Sequence, residues 1–215
     1  MIKYNLSRYE DKIKELESYP VEKGGLLLYG SSFFTNWGYE RAKQDLSGVS
    51  KENLPVLNHG FGGSTLDELL YYYSRLVKNY DPKVVLIRGG FNDYGAGYKA
   101  NEVTFMLSRL CEWLISDFPN VKIGLLPIFD VLMSVSSEEG FMAYKSEYNL
   151  FCKHLTEQYD SIFLLDINEF FYQDPKDTGT HKNLKPIFVE DGLHLTDEGY
   201  AQFTEYFRNR LKAHI

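Results

Sequence analysis

Several short polar or glycine-rich segments of this 215-residue chain each follow an apolar run or precede a helical one, and together they hold the residue types needed for acyl transfer. A serine pair, Ser31-Ser32, follows the first apolar run, while Asp191 and His194 lie three positions apart near the carboxyl end. A serine hydroxyl becomes a nucleophile when a histidine accepts its proton, and a carboxylate can orient that histidine. We therefore predict His194 as the base and Asp191 as its orienting carboxylate.

Two further segments offer hydrogen-bond donors for the charge that forms during acyl transfer. Gly63 lies in the glycine-rich segment 58–65, and Asn92 lies in the segment 89–93. A tetrahedral intermediate needs donors aimed at its oxyanion. The backbone N–H of Gly63 is open to a substrate because no side chain blocks the approach, and the amide of Asn92 can donate as well. We expect both to contribute to an oxyanion hole.

The elements that must position these residues are apolar runs alternating with helical segments. Nearly continuous apolar runs, typical of parallel strands buried on both faces, cover residues 25–29, 55–58, 83–88, 121–127 and 161–167. Helical spacing covers residues 7–18, within an N-terminal helical region of residues 1–20, and also residues 66–77, 103–114, 137–159 and 197–211, with Thr196 as a candidate N-cap. The alternation predicts an α/β fold with a doubly wound parallel sheet in a single domain, residues 1–215. Ligands of such folds bind beyond the carboxyl ends of the strands.

Composition excludes several classes of protein. The chain has 30 acidic and 23 basic residues and a net charge of −7, which argues against a nucleic-acid partner. No apolar run reaches 18 residues, so we expect no transmembrane helix and no membrane partner. The charged first 20 residues lack the apolar middle of a signal peptide, which favours a cytoplasmic location.

Metal and cofactor sites are not indicated. Two cysteines, Cys111 and Cys152, are too few for a disulfide framework or a four-cysteine zinc site, although they could pair. The remaining histidines lack ligand spacing, so we predict no metal: His59, His154, His181 and His214. The glycine-rich segment has Thr65 where a dinucleotide loop needs its third glycine, and no phosphate-loop lysine follows it. We expect no cofactor.

Other interpretations of each segment remain open when it is taken alone. The serine pair could be a turn and helix cap, the glycines a tight turn, and His194 a structural residue. The nucleophile elbow of α/β-hydrolases is excluded because Phe33 and Phe34 follow Ser32. The joint occurrence of all the segments at one sheet edge favours catalysis.

The segments resemble the conserved blocks of the SGNH (GDSL-type) hydrolase family, in the family's order. Gly30-Ser31-Ser32 matches the first block, the glycine of the second is Gly63, Gly90-Phe91-Asn92-Asp93 matches the third, and Asp191-Gly192-Leu193-His194 matches the last. The resemblance implies a three-layer α/β/α sandwich with a five-stranded flavodoxin-like sheet. It also implies Ser32 as nucleophile, with its own N–H joining Gly63 and Asn92 in the oxyanion hole. Ser31 replaces the family's usual aspartate, and Ser31 itself is the alternative nucleophile.

The resemblance further implies a serine ester hydrolase that acts on a short acyl ester, often an acetyl group, of a carbohydrate or other small polar molecule. Lysophospholipase or thioesterase activity, acyl transfer to an alcohol, and a binding protein without turnover are the alternatives. We expect Phe33, Trp37 and Phe91 to wall the substrate pocket, although Phe33 and Trp37 could instead pack a helix on the sheet. We expect the long segment 168–190 to cover part of the site, and homo-oligomers are possible.

Overall fold

The apolar runs form one parallel sheet. In the computed structural model, which describes residues 5–178 and 181–215, the strands are β1 Leu26–Gly30, β2 Val56–Gly60, β3 Val84–Arg88, β4 Lys122–Leu125 and β5 Ile162–Leu164. Their order is β2-β1-β3-β4-β5, and every neighbouring pair is parallel. This is the flavodoxin-like order, whose switch point lies between β1 and β3. The predicted doubly wound sheet is confirmed.

The last two strands are shorter than their apolar runs. Regular pairing stops at Leu125 in β4 and at Leu164 in β5, whereas the runs continue to residues 127 and 167. The next residue of each run, Leu126 or Leu165, still donates its N–H to a neighbouring strand, and both side chains are buried. Burial therefore extends beyond the last paired residues. The end of an apolar run indicates where burial stops and does not indicate where the strand stops.

The segments with helical spacing are helices in the structure. The helices are α1 Glu10–Glu17, α2 Ser32–Trp37, α3 Tyr39–Asp45, α4 Leu66–Leu76, α5 Phe91–Gly95, α6 Ala100–Asp117, α7 Glu139–Gln158 and α8 Asp197–Lys212. Short 3₁₀ turns cover Leu6–Tyr9, Lys78–Tyr80, Ser134–Ser137, Asn168–Phe171 and His181–Asn183. The spacing does not reveal α2, α3 and α5, because a helix of five to seven residues repeats its apolar face too few times.

The helices cover both faces of the sheet. Successive strand side chains point to opposite faces, so Leu27 and Tyr29 pack with the apolar sides of α1, α4, α6 and α7. Leu26 and Leu28 pack on the other face with α2, α3 and α8. The result is the three-layer α/β/α sandwich. Because helices cover both faces of the sheet, a ligand reaches the strand ends from the side of the sheet where the strands end.

The long segment 168–190 is more ordered than its sequence indicates. It begins with the 3₁₀ turn at Asn168–Phe171, and an antiparallel bridge joins Tyr172 to Leu184. Phe170, Phe171 and Tyr172 are buried in the apolar layer beneath α8. These rings therefore support the core instead of forming a cover over the strand ends. Residues 179–180 of this segment, and residues 1–4 of the N-terminal helical region, lie outside the described residues.

Cys111 and Cys152 are free and buried. In the part of the chain that the structure describes, no helix is long and apolar enough to span a bilayer. The same part holds no group of three or more histidine, cysteine or acidic side chains placed to bind a metal ion.

Candidate active site

The structure brings Ser32, His194 and Asp191 together at the carboxyl edge of the sheet. Ser32 opens α2 two residues after β1, and its Oγ lies 2.8 Å from His194 Nε2. The other ring nitrogen, Nδ1, lies 2.5 Å from Asp191 Oδ2. Because the carboxylate can only accept, Nδ1 carries the proton, and Nε2 is left to accept the hydrogen bond from the Ser32 hydroxyl. Hydrogen bonds thus join Ser32 to His194 and His194 to Asp191, although Ser32 and His194 are 162 positions apart in the chain.

A tight turn holds Asp191 against His194. Oδ1 of Asp191 accepts the N–H groups of Leu193 and His194, at 2.8 and 2.9 Å. The turn passes through Gly192, whose φ of +67° favours glycine, and a Cβ there would lie 2.9 Å from Met133 N. Burial opposes ionisation of Asp191, but these N–H donors and the His194 ring outweigh it and lower the pKa to about 2. The carboxylate is therefore charged at neutral pH.

Asn92 reaches the same pocket from the end of β3. Its Nδ2 donates to the Ser64 carbonyl at 3.0 Å. Since this nitrogen carries two hydrogens, the second remains available to a ligand. The neighbouring Asp93 is fully buried and accepts from Leu66 N at 2.9 Å and Gly90 N at 3.1 Å, which fastens the turn after β3 to the start of α4. Burial raises the pKa of Asp93 to about 7.

Gly63 occupies a left-handed turn between β2 and α4. Its φ is +79°, and a Cβ on this residue would lie 2.8 Å from the Tyr9 hydroxyl oxygen. In the described residues, neither the Gly63 N–H nor the Ser32 N–H donates to a protein acceptor. Both are the backbone donors predicted for the oxyanion hole, and both are free for that role.

The N-terminal segment fixes this glycine turn. Arg8 Nη2 donates to the Gly63 carbonyl at 3.2 Å, and Arg8 also forms a two-pronged ion pair with Glu68 at 2.6 and 2.9 Å. Glu68 is buried and caps α4 by accepting from Thr65 N at 3.0 Å. The spacing Thr65-x-x-Glu68 is a capping-box signal that the sequence carries. Its tie to Arg8, 60 positions away, is not visible in the sequence.

The pocket beside Ser32 is small, about 20 Å³ in volume. Phe33 and Phe91 contribute to its wall, as predicted from the sequence, but Trp37 does not. Trp37 is 1% exposed, donates from Nε1 to Asp45 at 2.7 Å, and packs against α8. Burial of its large ring against α8 gains more free energy than exposure at a pocket would. The placement of Trp37 at the substrate is therefore corrected.

Ser31 also reaches the pocket, at 7% exposure, but the hydroxyl within hydrogen-bond distance of His194 is that of Ser32. It stands at the N-cap position of α2, where its carbonyl accepts from Phe34 N and Thr35 N. Its side chain makes no capping hydrogen bond. Of the two serines, Ser32 is therefore the one that the geometry connects to the base.

Sequence reasoning missed Arg88, Phe129 and Leu193, which also line the pocket. Leu193 lies inside a recognised motif, and Phe129 follows β4 without a local signal. The signal for Arg88 is a charged residue that ends an otherwise apolar strand. A larger cavity, of about 540 Å³, opens at the opposite edge of the sheet beside Lys83 and Lys122, and it contains none of the predicted catalytic residues.

Solved structures resemble the whole chain. A GDSL-like lipase from Bacteroides thetaiotaomicron has a TM-score of 0.74 at 17% identity, over 98% of this chain and all of the other. A Streptococcus pneumoniae protein named for platelet activating factor has a TM-score of 0.73 at 21% identity, over 96% and 92%. A mutant acetyl-xylooligosaccharide esterase from Geobacillus has a TM-score of 0.64 at 18% identity, over 90% and 96%. At these identities the likeness shows a shared fold.

Comparison with curated proteins gives no significant sequence match. Residues 28–202, most of the chain, match the GDSL-like Lipase/Acylhydrolase family. The matched range contains Ser32, Gly63, Asn92, Asp191 and His194, and it extends from β1 into α8. The resemblance predicted from the sequence motifs is thereby confirmed, and this chain belongs to the GDSL-like lipase/acylhydrolase family.

Proposed function

We propose that this member of the family is a serine esterase that cleaves short acyl esters, above all acetyl esters, of small polar or carbohydrate molecules. The observation that carries the proposal is the continuous hydrogen-bonded sequence from Asp191 through His194 to Ser32, with distances of 2.5 and 2.8 Å. A serine with a base at hydrogen-bond distance, itself oriented by a carboxylate, is the arrangement that nucleophilic acyl transfer requires.

In the proposed reaction, His194 Nε2 takes the proton of Ser32 as Oγ attacks the ester carbonyl. The carbonyl oxygen becomes an oxyanion, which the Ser32 N–H, the Gly63 N–H and the Asn92 amide stabilise by hydrogen bonds. The intermediate collapses, the C–O bond to the alcohol breaks, and His194 gives its proton to the departing alcohol. Water, deprotonated by His194, then attacks the acyl-enzyme, and collapse releases the acid and restores the Ser32 hydroxyl.

The size of the pocket supports a short acyl group. About 20 Å³ is little more than the space that one water molecule needs, and it suits a methyl group. Phe33, Phe91 and Phe129 bound it with apolar rings. A long acyl chain of the lysophospholipase or thioesterase type would require these rings to move. The fold shared with an acetyl-xylooligosaccharide esterase supports the same choice.

Labelling with a fluorophosphonate tests the nucleophile, because this reagent mimics the tetrahedral intermediate and reacts with an activated serine. We expect mass spectrometry to find the adduct on Ser32, and we expect His194→Ala to abolish it. Ser31→Ala is the matched control and should still be labelled. An adduct on Ser31 would identify Ser31 as the nucleophile in place of Ser32. The absence of an adduct on the folded protein would favour a binding protein without turnover.

A series of phenyl esters tests the acyl length. We expect kcat/KM to fall from phenyl acetate to phenyl butyrate and phenyl octanoate, as the acyl group outgrows the pocket. A maximum at octanoate would contradict a short-acyl esterase and favour the long-chain alternatives. Adding methanol as a competing acceptor, with analysis of the products, separates hydrolysis from acyl transfer to an alcohol.

A further inference from the structure

A positively charged side chain forms part of the pocket wall. Arg88 is the last residue of β3 and is 3% exposed, yet it lines the same small pocket as Ser32, Asn92 and His194. Its guanidinium carbon lies 4.7 Å from the ring centroid of Phe129, a cation–π distance. Nothing in the proposed acyl-transfer steps uses this cation.

Arg88 is poorly satisfied by the protein. Nη1 donates to the carbonyl of the next residue, Gly89, at 2.9 Å, but Nε is buried without a hydrogen-bond partner. Within residues 5–178 and 181–215, no carboxylate forms an ion pair with it. Four other arginines differ in this respect, since each has an acidic partner within 4 Å: Arg8, Arg41, Arg75 and Arg109. Arg208 and Arg210 donate to backbone carbonyls and, unlike Arg88, are not buried.

The buried carboxylate that influences Arg88 is already engaged elsewhere. Asp93 attracts Arg88 through space, but its two oxygens accept from Leu66 N and Gly90 N. Burial lowers the pKa of Arg88 only to about 10, so the guanidinium remains charged at neutral pH. A charged group is thus kept in a dry wall, and in the part of the chain that the structure describes no carboxylate is paired with it.

An uncompensated buried charge is costly, and its cost falls when an opposite charge arrives. A guanidinium presents its N–H groups in a planar fork that matches carboxylate, phosphate and sulfate oxygens. A ligand that carries such a group into the pocket would supply both the missing counter-charge and an acceptor for the unused N–H groups. Apolar esters would supply neither.

We propose that Arg88 is a specificity-determining residue that binds a negatively charged group of the ester substrate, a carboxylate, phosphate or sulfate placed a few bonds from the scissile carbonyl. The proposal rests on the proposed esterase function and narrows its substrate class from polar esters to anionic ones. The anion can belong to the alcohol, with an acetyl group in the small pocket, or to a longer acyl group, for which the aromatic wall has to move. Substrates of both kinds distinguish the two sources.

Two pairs of esters test the proposal. The first pair carries the charge on the alcohol, as 4-acetoxybenzoate and its neutral methyl ester. The second carries it on the acyl group, as monophenyl glutarate and neutral methyl phenyl glutarate. We expect kcat/KM to favour the anionic member of at least one pair by roughly 10- to 100-fold, the range of a charged hydrogen bond. No preference in either pair would overturn the proposal.

Substitution then assigns the preference to Arg88. In Arg88→Met, which keeps an unbranched side chain but removes the charge, we expect the ratio of anionic to neutral kcat/KM to fall to about one. Arg88→Lys should retain part of the preference. Arg109→Met removes an exposed cation on α6 and should leave the ratio unchanged. An equal loss on both members of a pair would assign Arg88 to general support of the reaction and overturn the proposal.

Binding to Ser32→Ala protein separates this proposal from the esterase function, because it needs no turnover. We expect calorimetry to show tighter binding of 4-acetoxybenzoate or monophenyl glutarate than of the matched methyl ester, and Ser32→Ala/Arg88→Met to lose the difference. Anion binding without any hydrolysis by the wild type would refute the esterase and keep the anion site. Hydrolysis with no anion preference and no binding difference would support the esterase and overturn the anion site. If Arg88→Met fails to fold, three measurements still test the anion site. They are the ratio of anionic to neutral kcat/KM in the wild type, ligand binding to Ser32→Ala, and the same kcat/KM ratio in Arg88→Lys.

Discussion

The carboxylate of Asp191 holds His194 at both its backbone and its ring. Oδ1 accepts the His194 N–H at 2.9 Å, and Oδ2 accepts from the ring Nδ1 at 2.5 Å. Because one rigid group fixes both the main chain and the imidazole, the ring can point Nε2 only toward Ser32. The short spacing of the two residues therefore sets the direction of the base as well as its tautomer.

Asp191→Asn tests this orientation. The amide can present its NH₂ to Nδ1, which would favour the tautomer with the proton on Nε2 and leave Ser32 without a base. We expect kcat on phenyl acetate to fall by roughly 10³- to 10⁴-fold with little change in KM. Asp160→Asn, at an exposed aspartate after α7, is the control and should keep wild-type kcat. A loss of less than tenfold in Asp191→Asn would contradict the assigned role.

The same carboxylate makes stability depend on pH. Its folded-state pKa of about 2 lies below the ordinary value of 3.8, so its contribution is complete above about pH 5 and is lost as the pH falls toward 2. We expect the difference in free energy of unfolding between wild type and Asp191→Asn to shrink over that window. Urea unfolding at several pH values measures it. A difference that stays constant over this window would refute the linkage.

Asn92→Ala tests the side-chain donor of the oxyanion hole. In the proposed mechanism the Nδ2 group donates to charge that develops only in the transition state, so its loss should lower kcat by roughly 10²- to 10³-fold and leave KM nearly unchanged. Asn101→Ala removes an exposed asparagine from α6 and should have no effect. A change confined to KM would instead indicate that Asn92 binds the ground-state ester.

Gly63→Ala tests the contact between the glycine turn and the N-terminal segment. Gly63 and Gly97 share a φ of +79°, but an added Cβ meets Tyr9 only at Gly63. We expect Gly97→Ala to lower the free energy of unfolding by about 1 kcal/mol because of backbone strain, and Gly63→Ala to lower it by about 2–3 kcal/mol. Placing Gly63→Ala in a Tyr9→Phe background should recover part of the excess. Equal losses of unfolding free energy at both glycines would show that the Tyr9 side chain moves aside without strain, which would contradict the prediction.

The sequence predicts the sheet and the proximity of Asp191 to His194 because both features leave local signals. Continuous apolar runs mark strands buried on both faces, and the Asp191-to-His194 spacing forms a turn that depends on only four residues. Trp37 and Arg88 lack such signals. Trp37 follows Ser32 by five residues, but the apolar side of α8, 160 and more positions away, draws its ring into the core. The sequence indicates only that Arg88 is the polar end of a strand, and the tertiary structure shows that its charge is enclosed beside Ser32.

Ser32 and His194 belong to parts of the molecule that differ in local stability. Ser32 follows β1, which is paired on both sides and buried at every residue, so it should open only when the whole domain unfolds. His194 lies in an irregular segment held mainly by a turn and a few backbone hydrogen bonds. Such a segment can exchange its amide hydrogens by opening on its own, while the sheet stays intact. Mild denaturation would then separate His194 from Ser32 first, so the proposed esterase activity should be lost before the fold.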